Sequence, residues 1–500
     1  MFPLAYPLLF VLLGALSWWI LPIISPLKRH HKLPPGPRGL PIIGSLHTLG
    51  ALPHRTLQTL AKKYGPIMSM RLGSVPTIVV SSPQAAELFL KTHDNIFASR
   101  PKLQAAEYMS YGTMGMSFTA YGPHWRNIRK FVVLELLTPA KINSFVGMRR
   151  EELGTVVKSI KEASAANEVV DLSAKVANII ENMTYRLLLG RTKDDRYDLK
   201  GIMNEALTLA GRFNIADFVP FLGPLDIQGL TRQFKDTGKR LDKILEFIID
   251  EHEQNSSNGN ASGDFIDDML SLKNKPSNTH DELSKVIDRS VIKAIMIDII
   301  SAAIDTSDTS IEWILTELIK HPRAMKKCQE EIDAVVGVDR MVEETDLPNL
   351  EYVYMVVKEG LRLHPVAPLL GPHESMEDIT INGYFIPKQS RVIVNSWALG
   401  RDPNVWSENA EEFLPERFEG SNVDVRGRDF QLLPFGSGRR GCPGMQLGLI
   451  TVQLVVARLV HCFDWNLPNG TTPDNLDMTE KFGLTTPRVK HLLAVPKYRL

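Results

Sequence analysis

From Met1 to Leu27 no side chain is charged, and the apolar run PLLFVLLGALSWWILPII is long enough to cross a hydrocarbon core of about 30 Å as a helix. Trp18 and Trp19 suit an interfacial belt, and KRHHK follows at once, Lys28 to Lys32. By the positive-inside bias that flank stays in the cytosol and the amino terminus faces the lumen. A cleaved signal peptide would need a basic start and a small-residue cleavage site, and MFPLAYP supplies no charged side chain. The segment therefore reads as a retained anchor. In LPPGPRGLPIIG, Leu33 to Gly44, the prolines hold the backbone extended and cannot continue a helix. The expected organisation is an anchor over 1–27, a basic flank and proline-rich spacer over 28–44, and a large folded body over 45–500.

Within the body, helical periodicity predominates. It predicts helices over Pro139 to Ala165, Leu230 to His252, Leu283 to Lys320, Pro322 to Val336 and Gly444 to Cys462. Strand-like runs such as PTIVVSS and SRVIVNSWA are short and scattered. No internal repeat is found, and QNSSNGNASGD reads as a polar loop between helices. The fold class is mainly α with small β-sheets.

An apolar fraction of 44% with 23% charged residues is that of a globular chain with a large core. Lys plus Arg and Asp plus Glu each number 57, so no global field draws the protein to nucleic acid. The three cysteines, Cys328, Cys442 and Cys462, are too few and too irregular for a disulfide framework or a zinc knuckle.

One stretch carries chemistry, LLPFGSGRRGCPGMQLGL. Gly436, Gly438 and Gly441 spell G-x-G-x-x-G, and Asp464 follows about twenty residues on, as a dinucleotide fold requires. That reading needs a β-rich strand before the glycines and an uninterrupted helix after them. Pro434 and Pro443 oppose both, a helix-interior proline costing about 3 kcal/mol. In the other reading Gly436 and Gly438 permit a tight turn, Pro443 sits in the first turn of the next helix, and Cys442 lies where helix amides favour a negative sulfur. A thiolate so placed is a haem ligand of the electron-donating kind. Phe435 is placed to screen the sulfur and Arg440 to reach a propionate.

FGSGRRGCPG resembles the F-x-x-G-x-R-x-C-x-G signature of the cytochrome P-450 monooxygenases. KEGLRLHP carries the E-x-x-R pair as Glu359 and Arg362, LPERF the P-E-R-F motif with Arg417, and HWRNIRK the W-x-x-x-R motif as Trp125 and Arg129. With the anchor and spacer, the likeness covers essentially the whole chain and points to the plant microsomal A-type. It implies the P-450 fold with one amino-terminal transmembrane helix, haem b held by Cys442, and a buried network of Glu359, Arg362 and Arg417 on the thiolate side. It also implies propionate contacts from Trp125, Arg129 and Arg440, with His373 where many relatives carry an arginine.

In IMIDIISAAIDTSDTSIEWILTELIKHP a polar island interrupts an apolar helix, and the resemblance makes Asp305 and Thr306 the acid and alcohol pair that relays protons toward dioxygen. Ala303 stands where relatives have glycine, which narrows the groove and restricts any local opening of the helix. A Thr306 hydroxyl bonded back to the carbonyl of Ala302 is compatible with that role. Substrate contacts implied by the family map to Met114, Met116, Phe118, Asp298, Ala302, Ala303, Val366, Leu370 and Leu484. Asp298 reads either as an acceptor for a substrate hydroxyl or as a structural carboxylate satisfied by a neighbouring helix. FNIADFVPFLGPLD, Phe213 to Asp226, matches a membrane-dipping substrate entrance.

With the glycine motif dismissed the sequence offers no flavin or NADPH site, so electrons are expected from a membrane-bound NADPH–cytochrome P-450 reductase. Arg126, Lys130 and Arg439 are candidate contacts for it. The implied activity is insertion of one oxygen atom from O2 into a small lipophilic plant metabolite at the endoplasmic reticulum membrane, with the catalytic body cytosolic. Phenolics of the biphenyl, xanthone or flavonoid type lead, and terpenoids come second. The competing classes are a haem-thiolate isomerase or dehydratase, against which Asp305 and Thr306 argue, and a non-catalytic haem carrier.

Overall fold

The computed structural model describes residues 32–191, 198–260, 262–273, 286–468 and 470–500, together with Gly14 and Ser17. The expected anchor over 1–27 and the start of the basic flank lie outside the described residues, those two apart. Among the described residues, the one helix long and apolar enough to span a bilayer is Met445–Cys462. It is a core helix, buried from Thr451 to Cys462 except at Gln453.

After the spacer, α1 (Pro53–Tyr64) leads into the hairpin β1 (Ile67–Leu72) and β2 (Val75–Val80). The proline spacer lies along β1, where Ser69 N donates to Pro35 O at 2.9 Å. A Cβ at Gly36 would fall 1.6 Å from Ser69 O, so glycine is required for that approach. Among the helices that follow are α2 (Pro123–Phe131), α3 (Pro139–Ser144), α4 (Val146–Ala165), α5 (Leu172–Leu189), α6 (Leu199–Ala210) and α7 (Leu230–Ser257), with shorter helices between and after them. Pro139 to Ala165 is thus two helices rather than one, broken at Phe145, which leaves the regular helical geometry at φ −96°, ψ 8°.

The central helix α8 (Arg289–Lys320) runs unbroken for 32 residues. It starts six residues later than its periodicity suggests, where the Asp288 side chain accepts from Val291 N as an N-cap. Pro322 then opens α9 (Pro322–Val336), and α10 (Glu351–Leu363) and α11 (Met445–Cys462) complete the helical layer.

The sheets are small. The strand β3 (Val170–Asp171) pairs with the carboxyl-terminal strand β9 (Leu493–Tyr498), which pairs with β8 (Phe463–Asn466). The main sheet adds β4 (His373–Glu374) and β7 (Arg391–Val394) in the order β1-β2-β7-β4, and β5 (Ile379–Ile381) with β6 (Tyr384–Ile386) forms a separate hairpin. The largest core packs α4, α5 and α8 to α11 around Ile314, Leu318, Val356, Val455 and Leu459. Helix α8 therefore crosses the middle of the protein, and its polar island opens on an internal cavity.

Candidate functional site

That cavity has a volume of about 370 Å³ and a mostly apolar wall. Cys442 forms part of one side, with Phe435, Gly444 and Gly448, and Ala302, Ala303 and Thr306 of α8 contribute another part. The cysteine loop takes its shape from Gly436 and Gly438, both in the left-handed region at φ +65°. A Cβ at Gly438 would lie 2.4 Å from Leu90 O. The loop is closed by Cys442 N donating to Phe435 O at 2.8 Å, and Arg439 is anchored to Asp94 at 2.7 Å.

Gly444 caps α11, so Pro443 precedes the helix rather than forming its first turn. Burial pushes the Cys442 thiol up, while the Gly444 amide, which donates to the sulfur, and the nearby Arg129 pull it down. The sulfur's accessible face belongs to the cavity. Cys328 and Cys462 differ, being sealed in the core, where burial raises both thiols, that of Cys462 to about 11.

Beneath the loop, Glu359 and Arg362 of α10 are fully withdrawn from solvent. Arg362 Nε and Nη2 donate to Glu359 at 2.7 and 2.8 Å, and Arg417 Nε at 2.9 Å. The spare guanidinium donors of Arg362 reach the carbonyls of Gly400, Ala410 and Glu412. Three elements are tied through one carboxylate, and α10 packs against α11, the helix that leaves the cysteine loop.

A basic group forms the cavity's other polar feature. Arg440 donates from Nε to Ala98 O at 2.6 Å, and from Nη1 and Nη2 to the carbonyls of Met116 and Thr119. Its guanidinium lies 4.1 Å from the ring centre of Trp125, whose indole N–H donates to Met116 O at 3.0 Å. Arg129 Nη2 donates to Gly441 O at 2.7 Å. Trp125 and Arg129 stand behind the wall, one against Arg440 and the other on the cysteine loop.

Arg100, which sequence reasoning missed, does line it, held by the carbonyls of Gly371 and Pro372. Burial and the neighbouring Arg129 lower Arg100 to about 10; burial with Arg100 and Arg129 lowers Arg440 to about 9. The cations repel one another, and the cluster calls for an anion. His373 is not part of that charge. Burial, with Arg100 second, holds its pKa down at about 3, and its Nδ1 donates to Phe97 O at 2.8 Å. As a neutral ring its other nitrogen accepts rather than donates, so of the two residues lining the cavity here Arg100 is the cation.

On the α8 side, Thr306 Oγ1 donates to Ala302 O at 2.5 Å, and the helix shows no opening at Ala303. Burial raises the Asp305 carboxyl. Asp305 itself is set back from the cavity wall, one residue round the helix from Thr306. Asp298 is buried, and its Oδ2 accepts from Met116 N at 2.5 Å and Ser117 N at 3.2 Å. That oxygen staples the loop before α2, so its partner is a loop rather than a neighbouring helix, and Asp298 also lines the cavity. Of the other expected contacts, Met116, Ala302, Ala303, Val366 and Leu370 line the cavity. Met114, Phe118 and Leu484 do not, and Met114 and Leu484 are exposed at 39% and 43%. Leu370 enters the wall with φ +49°, a strained conformation no sequence pattern announced.

Comparison with known proteins is consistent across the chain. The family model described as Cytochrome P450 matches residues 34–493. "Cytochrome P450 750A1" of Pinus taeda is 44% identical over 97% of this chain and 94% of its own length. "Flavonoid 3',5'-hydroxylase CYP75B138" of Crocosmia x crocosmiiflora is 39% identical over 97% of this chain and 95% of its own. Among solved structures, a zebra fish cytochrome P450 with abiraterone superposes at a TM-score of 0.74 with 25% identity, covering 90% of this chain and 100% of that one.

Proposed function

The chain belongs to the cytochrome P450 family, with plant relatives, and as such is a haem-thiolate monooxygenase; from that premise we propose that it hydroxylates a small aromatic or phenolic plant metabolite, with Cys442 as its haem ligand. The observation that carries the reading is the cavity itself, in which one accessible thiol and the wall formed by Ala302, Ala303 and Thr306 share an apolar chamber.

The residues present fit a haem. Cys442 would hold the iron, Gly444 N–H would stabilise the thiolate, and the repelling pair Arg100 and Arg440 would receive the propionates. Haem so held supplies activation of O2 with two electrons relayed from a redox partner. The protein's own residues do the rest. Phe435 and the apolar wall exclude water from the sulfur, Asp298 fixes the Met116 loop against α8, and Asp305 with Thr306 moves protons toward the cavity at Thr306 Oγ1. Small planar substrates suit a wall of Met116, Val366 and Leu370, and the Crocosmia relative is named for a flavonoid.

The membrane reductase is the electron donor in this reading, docking at Arg126 and Lys130, both exposed beside the cysteine loop. The endoplasmic reticulum membrane is the site, with the anchor over 1–27 aided by Phe221, Leu225 and Ile227, which are 63%, 68% and 63% exposed on one loop. The test is expression with a plant reductase, the spectrum of the CO-bound reduced protein, and mass spectrometry on phenolic and terpenoid panels. Thiolate ligation with hydroxylated phenolics supports the reading. Oxygenation confined to terpenoids overturns the substrate class, and product without NADPH or O2 overturns the reaction.

A further inference from the structure

Helix α8 carries Asp305, Asp308 and Glu312, three and then four residues apart. That spacing stacks the three carboxyls along one face. Asp308 feels the charge of both neighbours and also accepts from Thr309 N at 2.5 Å. At one end of the row Asp305 adjoins Thr306 and so the cavity wall. At the other, Glu312 accepts from the Ser173 hydroxyl, whose oxygen accepts from Leu492 N at 2.7 Å. Arg488 and His491 face Glu312 from the carboxyl-terminal segment. His491 is 62% exposed and bonded to Asp171 at 2.8 Å, so a solvent-facing pair lies near that end of the row.

We propose that Asp308 is a positioning residue in the enzyme's proton supply, forming with Glu312 a carboxyl ladder that carries protons from the His491–Asp171 surface pair to Asp305 and the cavity. The inference rests on the reading of Asp305 and Thr306 as the delivering pair. Nothing in that reading requires a third or fourth carboxyl.

Like charges one helical turn apart in a shielded strip cannot all ionise, so the row retains a proton near neutral pH. Burial, then Asp305, then Glu312 raise Asp308 to about 7, against the Thr309 amide, which stabilises its charged form. Burial also raises Asp305 and Glu312, the latter against Ser173, Arg488 and His491. The middle member is thus poised to give and retake a proton. In each passage an O–H bond of Asp308 breaks as one forms on Asp305. The Asp308 carboxylate then takes a proton from Glu312, and Glu312 takes one from a solvent hydronium, which becomes water. One proton enters for each that leaves, and no electrons move.

Infrared difference spectroscopy of the haem-loaded protein tests this directly. Wild type should show a protonated-carboxyl band at pH 6 that titrates away near pH 7. The band should be missing in D308N and present, displaced, in D308E. The second readout is hydrogen peroxide released per NADPH oxidised with reductase, which needs no identified substrate. In wild type the peroxide share should be low at pH 6 and rise several-fold through pH 7. D308N should be high throughout, and D308E should restore the wild-type profile. A normal CO-bound reduced spectrum checks folding, and D308E carries the test should D308N misfold. A D308N protein that keeps both the band and the wild-type profile overturns the ladder. T306A separates the two levels. If T306A raises peroxide and D308N does not, only the ladder fails; if T306A leaves it unchanged, the underlying reading fails.

Discussion

Glu359→Gln is the sharpest probe of what steadies the cysteine loop. The side chain keeps its volume but loses its charge, in a site fully withdrawn from water. The carboxylate accepts four hydrogen bonds, three at Oε1 from Arg362 Nη2, Leu414 N and Arg417 Nε, and one at Oε2 from Arg362 Nε. An amide oriented with its oxygen at the first position keeps three bonds but without the acceptor's negative charge, a loss of about 1 kcal/mol each. Its NH2 then faces the Nε–H of Arg362, donor against donor, at a cost of about 1–3 kcal/mol. Two guanidinium groups are left without their counter-charge, and the total of about 4–6 kcal/mol overlaps the range of about 3–5 kcal/mol found when one partner of a buried pair is removed. Urea unfolding should therefore shift to markedly lower midpoint at unchanged slope. The CO-bound reduced spectrum should show weakened thiolate ligation, because α10 supports α11. Glu359→Asp, which keeps the charge but shortens the reach, should fall between. A Gln variant with wild-type unfolding midpoint and full haem retention would refute the network's role.

Other consequences follow from the same geometry. Gly115→Ala places a Cβ 2.5 Å from Asp298 Oδ2, so it should loosen the Met116 loop and weaken spectrally measured binding of a phenolic about 10-fold, with little change in unfolding midpoint. Arg100→Leu should accelerate haem transfer to apomyoglobin by roughly an order of magnitude, the size of one lost charge-assisted contact; an unchanged rate would return the propionate role to other residues. His252 meets acceptors at both ring nitrogens, Ile248 O at 2.7 Å and Asp264 Oδ2 at 3.0 Å. Burial lowers its pKa, but the Asp264 bond and charge outweigh it, and the net shift is upward from 6.5. Its stabilising contribution is thus full below pH 6.5 and fades as pH rises through the higher folded value, so the unfolding midpoint should fall across that window in wild type and not in His252→Gln. Raising ionic strength should slow reduction by the reductase, and Arg126→Ala with Lys130→Ala should flatten that dependence; insensitivity to salt in wild type would argue for another docking face.

Much of this site is local in sequence. The glycines, the two prolines and Cys442 stand within one loop, and their backbone requirements are met wherever the loop is placed. Glu359 and Arg362 lie three apart on one helix, so their pairing needs no long-range information. The periodicity of α8 to α11 similarly reports which faces are apolar. Arg100 and Asp298 are different. Arg100 sits in an ordinary stretch, SRPKL, and joins the cavity's basic group only because the fold sets it beside Arg440, 340 residues on. Asp298 could not be assigned until Gly115 and Met116 were seen against it, since a buried carboxylate is defined by whichever donors reach it. His373 lines the cavity, but its orientation and neutral ring follow from burial and the Phe97 carbonyl, 276 residues before it in the chain. Short-range steric and spacing rules thus determined that a thiolate loop, a helical body, a local ion pair and a row of carboxyls on one helix face exist. Which cations meet, which carboxylate bonds to backbone and which ion pair is buried were decided by tertiary packing, because electrostatic energies depend on distances that sequence separation does not measure.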